Sequence, residues 1–167
     1  MSRGFVREDD QEEAPFIPPR AALPDGVTNY VTQRGLEQLQ AERKALETER
    51  SAVRGSDDER RRSHAVIDGK LNLLHERIVT ARVVERTDGP MDDVRFGATV
   101  TFEHQTGPQR GKQFTFTLVG VDEASVKQLR IAFTSPIARA LMGNRVGETA
   151  EFQLGSVVQL LKIISIY

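Results

Sequence analysis

The sequence predicts an α+β protein in which an antiparallel helical hairpin precedes a small antiparallel β-sheet domain with one short helix. Three observations support this order. Residues 1–29 carry an acidic run and four prolines. Residues 30–86 place apolar side chains at helical spacing, and residues 87–167 alternate apolar and polar residues in short runs rich in β-branched and aromatic side chains. Helices followed by a series of strands are typical of an α+β fold.

The first 29 residues predict a flexible tail. The acidic side chains that cluster here are Glu8, Asp9, Asp10, Glu12 and Glu13. Like charges repel each other, and the prolines that follow lack the backbone N–H that regular structure needs. Such a tail either keeps the protein in solution or binds a partner, in which case Phe16 and Ile17 are the expected contacts.

Residues 30–86 predict two helices that pack against each other. The apolar positions of the first helix are Leu36, Leu39, Leu46 and Val53. Those of the second helix are Ile67, Leu71, Leu74, Ile78 and Ala81. Spacings of three, four and seven residues place each set on one stripe, and two stripes joined by a short turn cover each other in an antiparallel coiled coil.

The sequence also marks the helix ends. Thr32 is suited to cap the first helix, Gly55 to end it, and Ser56 or the aspartate after it to begin the second. The tip of the hairpin is therefore expected at residues 55–59. At about 1.5 Å per residue, a helix over Arg34–Arg54 gives an arm of about 30 Å.

Residues 87–167 predict five strands and one short helix. The expected strands are Ala98–His104, Gln113–Asp122, Val126–Phe133, Thr149–Leu154 and Val157–Ile166. The helix lies between the third and fourth strands. Ser135 caps it, Pro136 occupies its first position, residues 137–142 form its body, and Gly143 ends it.

Composition narrows the class of function. The chain has no cysteine, which excludes disulfides and thiolate zinc sites, and its formal net charge is −1. Proteins that bind nucleic acid mainly by charge carry a clear basic excess, so a protein partner is favoured and contact with nucleic acid is expected to be indirect or weak. No apolar run is long enough to span a membrane and the acidic N-terminus does not resemble a signal peptide, so a cytoplasmic location is expected.

A search for a conventional active site finds little. The sequence lacks a phosphate-binding glycine loop, a GxSxG elbow and an HExxH pair, and its three histidines have no spacing that suggests a shared metal. Asp57, Asp58 and Glu59 are the clustered carboxylates of the expected tip. They either form a solvated helix N-terminus or complete the coordination of a metal that another protein holds.

One motif resembles that of a known family. The sequence Thr-Ser-Pro-Ile-Ala-Arg-Ala-Leu-Met-Gly at residues 134–143 is similar to the Ser-Pro-Ile-Ala-Arg-Ala-Leu-Gly stretch of GreA and GreB, the bacterial transcript cleavage factors. Other stretches are similar to the arm and to the C-terminal domain of these factors. They are residues 30–36, 67–84, 96–100, 119–124 and 160–163. The resemblance covers all of the chain except the tail.

The resemblance implies an FKBP-like C-terminal domain that docks on the core of bacterial RNA polymerase beside its secondary channel, with the coiled coil pointing into that pore. The docking residues it implies are Ser135, Pro136, Ile137 and Ala138. In Gre factors, acids at the tip help to hold the second magnesium ion of the polymerase active site. The polymerase performs the chemistry, so this chain needs no catalytic residue, metal or cofactor of its own, and its tip acids would contact only polymerase-bound Mg²⁺.

The chain departs from the Gre pattern in its arm. Alignment of both helix ends with the family leaves each helix about a dozen residues short, which is about 18 Å of reach at the helical rise. Residues 55–62 have the sequence Gly-Ser-Asp-Asp-Glu-Arg-Arg-Arg, without the Asn-Ala-Glu-Tyr of Gre factors, and the arginines compete for the charge of the acids. A short arm on a shared docking domain is similar to that of Rnk, a Gre-like polymerase binder.

Three functions are compatible with the sequence. The first is a regulator of elongation that docks at the secondary channel, competes with other factors that enter it and lacks strong cleavage activity. The second is an active cleavage factor whose tip acids reach the active-site magnesium through a different docking depth. The third is an FKBP-like prolyl isomerase or an unrelated adaptor, although such isomerases use an aromatic-lined pocket and this chain has no tryptophan and two tyrosines.

Overall fold

Two long helices form the predicted hairpin. The computed structural model describes residues 13–167, so the acidic run from Glu8 to Glu12 lies outside the described residues. Helix α1 spans Gln33–Ala52 and helix α2 spans Asp57–Thr80. Within the described part of the chain, no helix is long and apolar enough to cross a membrane.

The two helices meet along the predicted apolar seam. Its buried members are Leu39, Leu46, Ile67 and Leu74. The partly buried residues that pack around them are Leu36, Val53, Leu71, Ile78 and Ala81. Every seam residue predicted from the sequence therefore lies in this interface, and the predicted seam is confirmed.

The hairpin is closed at its base by a short pair of strands. Strand β1 (Tyr30–Val31) runs parallel to strand β2 (Arg82–Val83). Thr32 then caps α1, because its Oγ1 accepts a hydrogen bond from the backbone N–H of Gly35 at 2.9 Å. The 20 residues of α1 make an arm of about 30 Å, as expected.

The C-terminal half contains a five-stranded sheet. Its strands are β3 (Thr99–His104), β4 (Gln113–Val119), β5 (Arg130–Ala132), β6 (Thr149–Leu154) and β7 (Val157–Ile166). They lie in the order β5-β4-β3-β7-β6. Helix α3 (Pro136–Leu141) packs on this sheet, and the core they share includes Phe102, Leu118, Leu141 and Leu161.

The sheet differs from the antiparallel one predicted, because β4 and β5 run parallel. Residues 126–128 of the predicted third strand form a 3₁₀ helix, and Leu129 adopts a left-handed φ of 56°. This turn lets the backbone N–H of Arg130 donate to the carbonyl of Ser125 at 3.0 Å. Only Arg130–Ala132 then enters the sheet. A run of apolar residues cannot reveal such a reversal, because it reports burial and not direction.

The short helix has the predicted caps. Ser135 Oγ accepts a hydrogen bond from the backbone N–H of Ala138 at 3.3 Å, and Pro136 occupies the first helical position. Gly143 follows the last turn with a φ of +81°, a value that favours glycine. These features are local in sequence, and the prediction of this helix is confirmed.

Residues 13–24, which we call the N-terminal strap, differ from the flexible tail predicted. The strap lies against the hairpin without helical or strand structure. Ile17 covers Gly69 so closely that a Cβ on Gly69 would lie 2.4 Å from Ile17 Cδ1. Arg20 forms an ion pair with α1. Prolines exclude regular hydrogen bonding but also fix φ, so a proline-rich segment can be extended and still pack against a surface.

Candidate functional site

The tip of the hairpin is a tight turn between α1 and α2. Gly55 has a φ of +120°, and Ser56 and Glu59 form a capping box. The Ser56 backbone N–H donates to Glu59 Oε2 at 2.8 Å, and the Glu59 backbone N–H donates to Ser56 Oγ at 3.3 Å. The hydrogen bond from the Ser56 backbone is the main reason that the pKa of Glu59 is lowered. The carboxylate of Glu59 is therefore committed to the helix cap.

The two aspartates of the tip are paired with arginines one turn later. Asp57 forms an ion pair with Arg60, and Asp58 Oδ1 lies 3.0 Å from Arg61 Nη2. The side chain of Asp57 is 91% exposed and that of Arg60 is 50% exposed, so this pair lies in contact with solvent. Exposed pairs of this kind contribute about 0–1 kcal/mol, but they hold positive charge beside both carboxylates.

The three tip acids do not converge on one point. Successive residues of a helix point about 100° apart, so Asp57, Asp58 and Glu59 face different directions. Among residues 13–167, no group of three or more His, Cys, Asp or Glu side chains is arranged to hold a metal. The tip can offer Asp57 or Asp58 to a metal that another protein holds, once an arginine is displaced.

Helix α3 places the predicted docking residues at different depths. Pro136 is exposed, whereas Ser135 and Ile137 are half-buried and Ile137 packs against the sheet core. The Ser135 hydroxyl is used in the helix cap. Ala138 lies on the side of α3 that faces the core and is fully buried, so its side chain cannot contact a partner. The prediction that Ala138 belongs to a docking surface is wrong, because this small side chain fills the core where α3 approaches the sheet.

Arg139 is an exposed residue of α3 that is not among the docking residues predicted from the sequence. It lies three positions after Pro136, and residues at this spacing occupy the same side of a helix. Met142, at the end of α3, is 37% exposed. The spacing from Pro136 is the feature of the sequence that could have identified Arg139. We call Pro136, Arg139 and Met142 the α3 patch.

The hairpin meets the sheet domain at residues 120–124, which follow β4 and which we call the junction loop. Thr32 Oγ1 donates to Glu123 Oε2 at 2.5 Å, and Arg130 Nη1 donates to Glu123 Oε1 at 3.4 Å. The side chain of Glu123 is 4% exposed, so it is held between these two donors away from solvent. Glu123 is not among the site residues predicted from the sequence, although it lies in one of the stretches that carry the resemblance.

Two further contacts attach the hairpin base to the sheet domain. A Cβ on Gly120 would lie 2.6 Å from the backbone carbonyl oxygen of Tyr30, so the close approach requires glycine. The ring of Tyr30 also packs against Phe96 and Phe133, with ring centroids 5.9 and 5.7 Å away. Such aromatic pairs add packing energy beyond their buried area.

Comparison with known proteins relates these features to a family. Residues 89–167 match the family model described as Transcription elongation factor, GreA/GreB, C-term. The transcription elongation factor GreA of Verminephrobacter eiseniae is 31% identical, in an alignment that covers 84% of this chain and 98% of that protein. GreA of Maricaulis maris is 34% identical, in an alignment that covers 60% of this chain and 62% of that protein.

Solved structures are also similar to this chain. The crystal structure of GreA factor homolog 1 of Thermus thermophilus is 20% identical in sequence. The superposition covers 84% of this chain and 99% of that structure, with a TM-score of 0.38.

The sequence matches fall on both parts of the fold. The family model covers the sheet and α3, while the alignment with the Verminephrobacter protein is too long to be confined to the C-terminal domain. Factors of this family act on RNA polymerase and stimulate its intrinsic cleavage activity instead of being enzymes themselves. This chain, with its capped hairpin and its mixed sheet, belongs to the GreA/GreB family of RNA polymerase-binding transcription elongation factors.

Proposed function

We propose that this factor docks through its C-terminal domain on core RNA polymerase at the entrance of the secondary channel and inserts a short coiled coil. It regulates elongation in the cytoplasm and competes with other factors for the channel, without strong stimulation of transcript cleavage. The observation that carries this proposal is the state of the tip. The carboxylate of Glu59 is bonded into a helix cap, and Asp57 and Asp58 are paired with arginines.

The length of the arm supports the proposal. The alignment with the Verminephrobacter GreA extends over 159 positions, but 84% of 167 residues is about 140, so about 19 aligned positions have no residue in this chain. Shared between the two helices of the hairpin, where the sequence analysis places the missing residues, this loss shortens the arm by about 14 Å.

The chemistry of the tip supports the same conclusion. A carboxylate that orients a metal-bound water must be placed to within about 1 Å to be effective. A shorter arm moves the acids back from such a position, and the arginines beside Asp57 and Asp58 reduce their attraction for a cation. The factor has no cofactor of its own in this proposal, and any contact with polymerase-bound Mg²⁺ is indirect.

The α3 patch is the surface that we expect to bind the polymerase. Pro136 offers a rigid apolar contact and Arg139 a guanidinium that can form two hydrogen bonds with one carboxylate. Arginine and methionine are both enriched at protein interfaces. Of the docking residues implied by the family, the α3 patch retains Pro136. It includes the exposed Arg139 in place of the buried Ala138.

A second candidate is an active cleavage factor. The side chain of Asp57 is 91% exposed, and an exposed pair three residues apart on a helix costs little to break. If the protein docks more deeply than a full-length factor does, Asp57 would reach the magnesium ion. The prolyl isomerase and adaptor functions are not favoured, because the C-terminal residues match a transcription factor family.

Docking is tested by co-purification with core RNA polymerase. Pro136→Asp places a charge in the α3 patch, and an acid in the first turn of a helix is compatible with its dipole, so the variant should fold. Gln109→Asp adds the same charge in the exposed loop between β3 and β4. Loss of binding in Pro136→Asp alone supports the proposed surface, and equal binding by both variants contradicts it.

Cleavage is tested on a stalled elongation complex. We expect little stimulation by the wild-type protein and no further loss when Asp57, Asp58 and Glu59 are all changed to alanine. Strong cleavage by the wild type that is lost in this variant would favour the second candidate. A separate assay, in which the protein displaces a full-length cleavage factor from the polymerase, measures competition directly.

A further inference from the structure

The N-terminal strap lies in register with α2. Near the tip, Glu13 lines a surface cavity together with Arg61. Further down the arm, Ile17 covers Gly69, and the carbonyl of Ala21 accepts a hydrogen bond from an arginine at position 77. Each step of four residues in the strap therefore corresponds to eight residues of α2.

This ratio has a simple geometric cause. An extended, polyproline-like chain advances about 3.1 Å per residue, whereas a helix advances about 1.5 Å. The strap from Glu13 to Ala21 would thus cover about 25 Å, and α2 from Arg61 to Arg77 covers about 24 Å. The strap is therefore fully extended along α2 for nearly the whole length of the arm.

Arg20 connects three parts of the molecule. It belongs to the strap, and its Nη1 and Nη2 donate to the carboxylate of Glu42 in α1 at 2.7 and 3.0 Å. Its Nε donates to Asp122 Oδ1 in the junction loop at 2.9 Å. The side chain of Arg20 is 18% exposed and that of Asp122 is 7% exposed, so solvent screens this pair weakly.

Arg77 completes the cluster from the other helix. Its Nη1 donates to Asp122 Oδ2 at 3.3 Å, while its Nη2 donates to the carbonyl of Ala21. Two guanidinium groups thus face two carboxylates, those of Asp122 and Glu42, and the charges balance. The planar guanidinium restricts both the distance and the orientation of its partners, which a single point charge does not.

We propose that Arg20 is a positioning residue that fixes the angle at which the coiled coil leaves the sheet domain, and thereby the location of the tip. The base of the hairpin is already attached to the sheet domain by the Tyr30 ring, by Arg77 and by the hydrogen bond between Thr32 and Glu123. Glu42 lies ten residues further along α1, about 15 Å from that contact at the helical rise. Contacts confined to the base leave the arm free to tilt, whereas a further contact about 15 Å along α1 defines its direction. This inference goes beyond the proposed function, because it concerns the free protein.

The inference is tested by measuring the distance between the arm and the sheet domain. Ser51, near the tip, and Glu151, in β6, are exposed, and the chain has no cysteine, so Ser51→Cys with Glu151→Cys gives two unique sites for spin labels. We expect a single narrow distance distribution in the otherwise wild-type protein. Arg20→Ala should lose this narrow peak and give a broad distribution.

Arg43→Ala is the matched control. It also removes a positive charge from the arm, but the only ion pair found for Arg43 among residues 13–167 is with Glu47 on the same helix. Its distance distribution should stay narrow. Arg20→Lys keeps the positive charge but lacks the planar guanidinium that bridges both carboxylates. Its distance distribution should therefore be intermediate in width between those of the wild type and Arg20→Ala. A merely structural role of Arg20 would not produce this graded effect.

An unchanged narrow peak in Arg20→Ala, with unchanged helix content by circular dichroism, overturns the inference. If Arg20→Ala loses helix content, Arg20→Lys and Asp122→Asn take its place, and narrow peaks in both would have the same consequence. No polymerase is present in this experiment, so its outcome does not depend on whether the proposed docking occurs.

Discussion

Thr32 Oγ1 lies 2.5 Å from Glu123 Oε2, and the same hydroxyl oxygen accepts the backbone N–H of Gly35. One side chain therefore begins the first helix of the arm and attaches that helix to a loop 91 residues further along the chain. The start of the arm and one of its attachments to the sheet domain are therefore set by the same hydroxyl group.

Glu123→Ala should lower the free energy of unfolding by about 3 kcal/mol, because it leaves a mostly buried guanidinium without its charge partner. The side chain of Arg130 is 16% exposed and that of Glu123 is 4% exposed. Urea unfolding followed by circular dichroism measures this change. Glu151→Ala, at an exposed position of β6, should change the free energy by less than about 0.5 kcal/mol. Similar values for the two variants would contradict the role of Glu123.

Gly69→Ala should stabilise the protein less than a glycine-to-alanine change in a helix normally does, unless Ile17 is also changed. Alanine in place of glycine inside a helix normally adds about 1 kcal/mol. Here the new Cβ would lie 2.4 Å from Ile17 Cδ1, so the Ile17 side chain must move and the gain is reduced or reversed. The double variant with Ile17→Ala removes the clash, and a coupling energy of about 0.5–3 kcal/mol is expected from the double-mutant cycle. Additive effects would show that the strap does not pack on α2.

Glu59 should make the tip sensitive to acid. The pKa of Glu59 in the folded protein is lowered from the ordinary value of 4.5, mainly by the hydrogen bond from the Ser56 backbone. The stabilisation that the ionised Glu59 carboxylate gives to the folded protein is therefore complete above pH 4.5 and is lost as pH falls through the lowered pKa. Glu59→Gln keeps an N3 side chain that suits a capping box but does not titrate. We expect the difference in unfolding midpoint between wild type and variant to shrink below pH 4.5. Parallel curves across that range would refute the assignment.

Gly120→Ala should weaken the attachment of the hairpin. The added Cβ would lie 2.6 Å from the carbonyl oxygen of Tyr30, and this backbone atom cannot move aside as a flexible side chain can. Forcing extra volume into a packed site costs about 1–3 kcal/mol. Thermal unfolding should therefore begin at a lower temperature, while Ala124→Ser, at an exposed position of the same loop, should have little effect. Equal melting curves would show that the junction can relax.

The seam of the hairpin and the caps of its helices could be predicted because they depend on neighbours close in sequence. Ser56 and Glu59 are three residues apart, and Ser135 bonds a backbone N–H three residues later. The competition of arginines for the tip acids was also predictable, because Asp57 and Asp58 pair with residues one helical turn away. Local geometry is sufficient in all of these cases.

The strap and the junction could not be predicted in the same way. Arg20 and Asp122 are separated by 102 residues, and nothing in the composition of a proline-rich segment indicates the surface on which it packs. Ala138 shows the converse difficulty. It lies in the most recognisable motif of the chain, yet its place in that motif reflects packing under α3, because it is fully buried. A motif can identify a family without showing which residues of the motif face a partner.

The direction of the strap bears on how the protein can be handled. Glu13 lines the same surface cavity as Arg61 and Arg62, near the turn between the helices, so anything attached ahead of it lies near the tip of the arm. Tyr167 instead pairs with Thr99 in the sheet, its backbone N–H donating to the Thr99 carbonyl at 2.9 Å. If the protein docks as proposed, an affinity tag placed before the strap would enter the secondary channel together with the tip, whereas a tag after Tyr167 would remain with the sheet domain outside the channel.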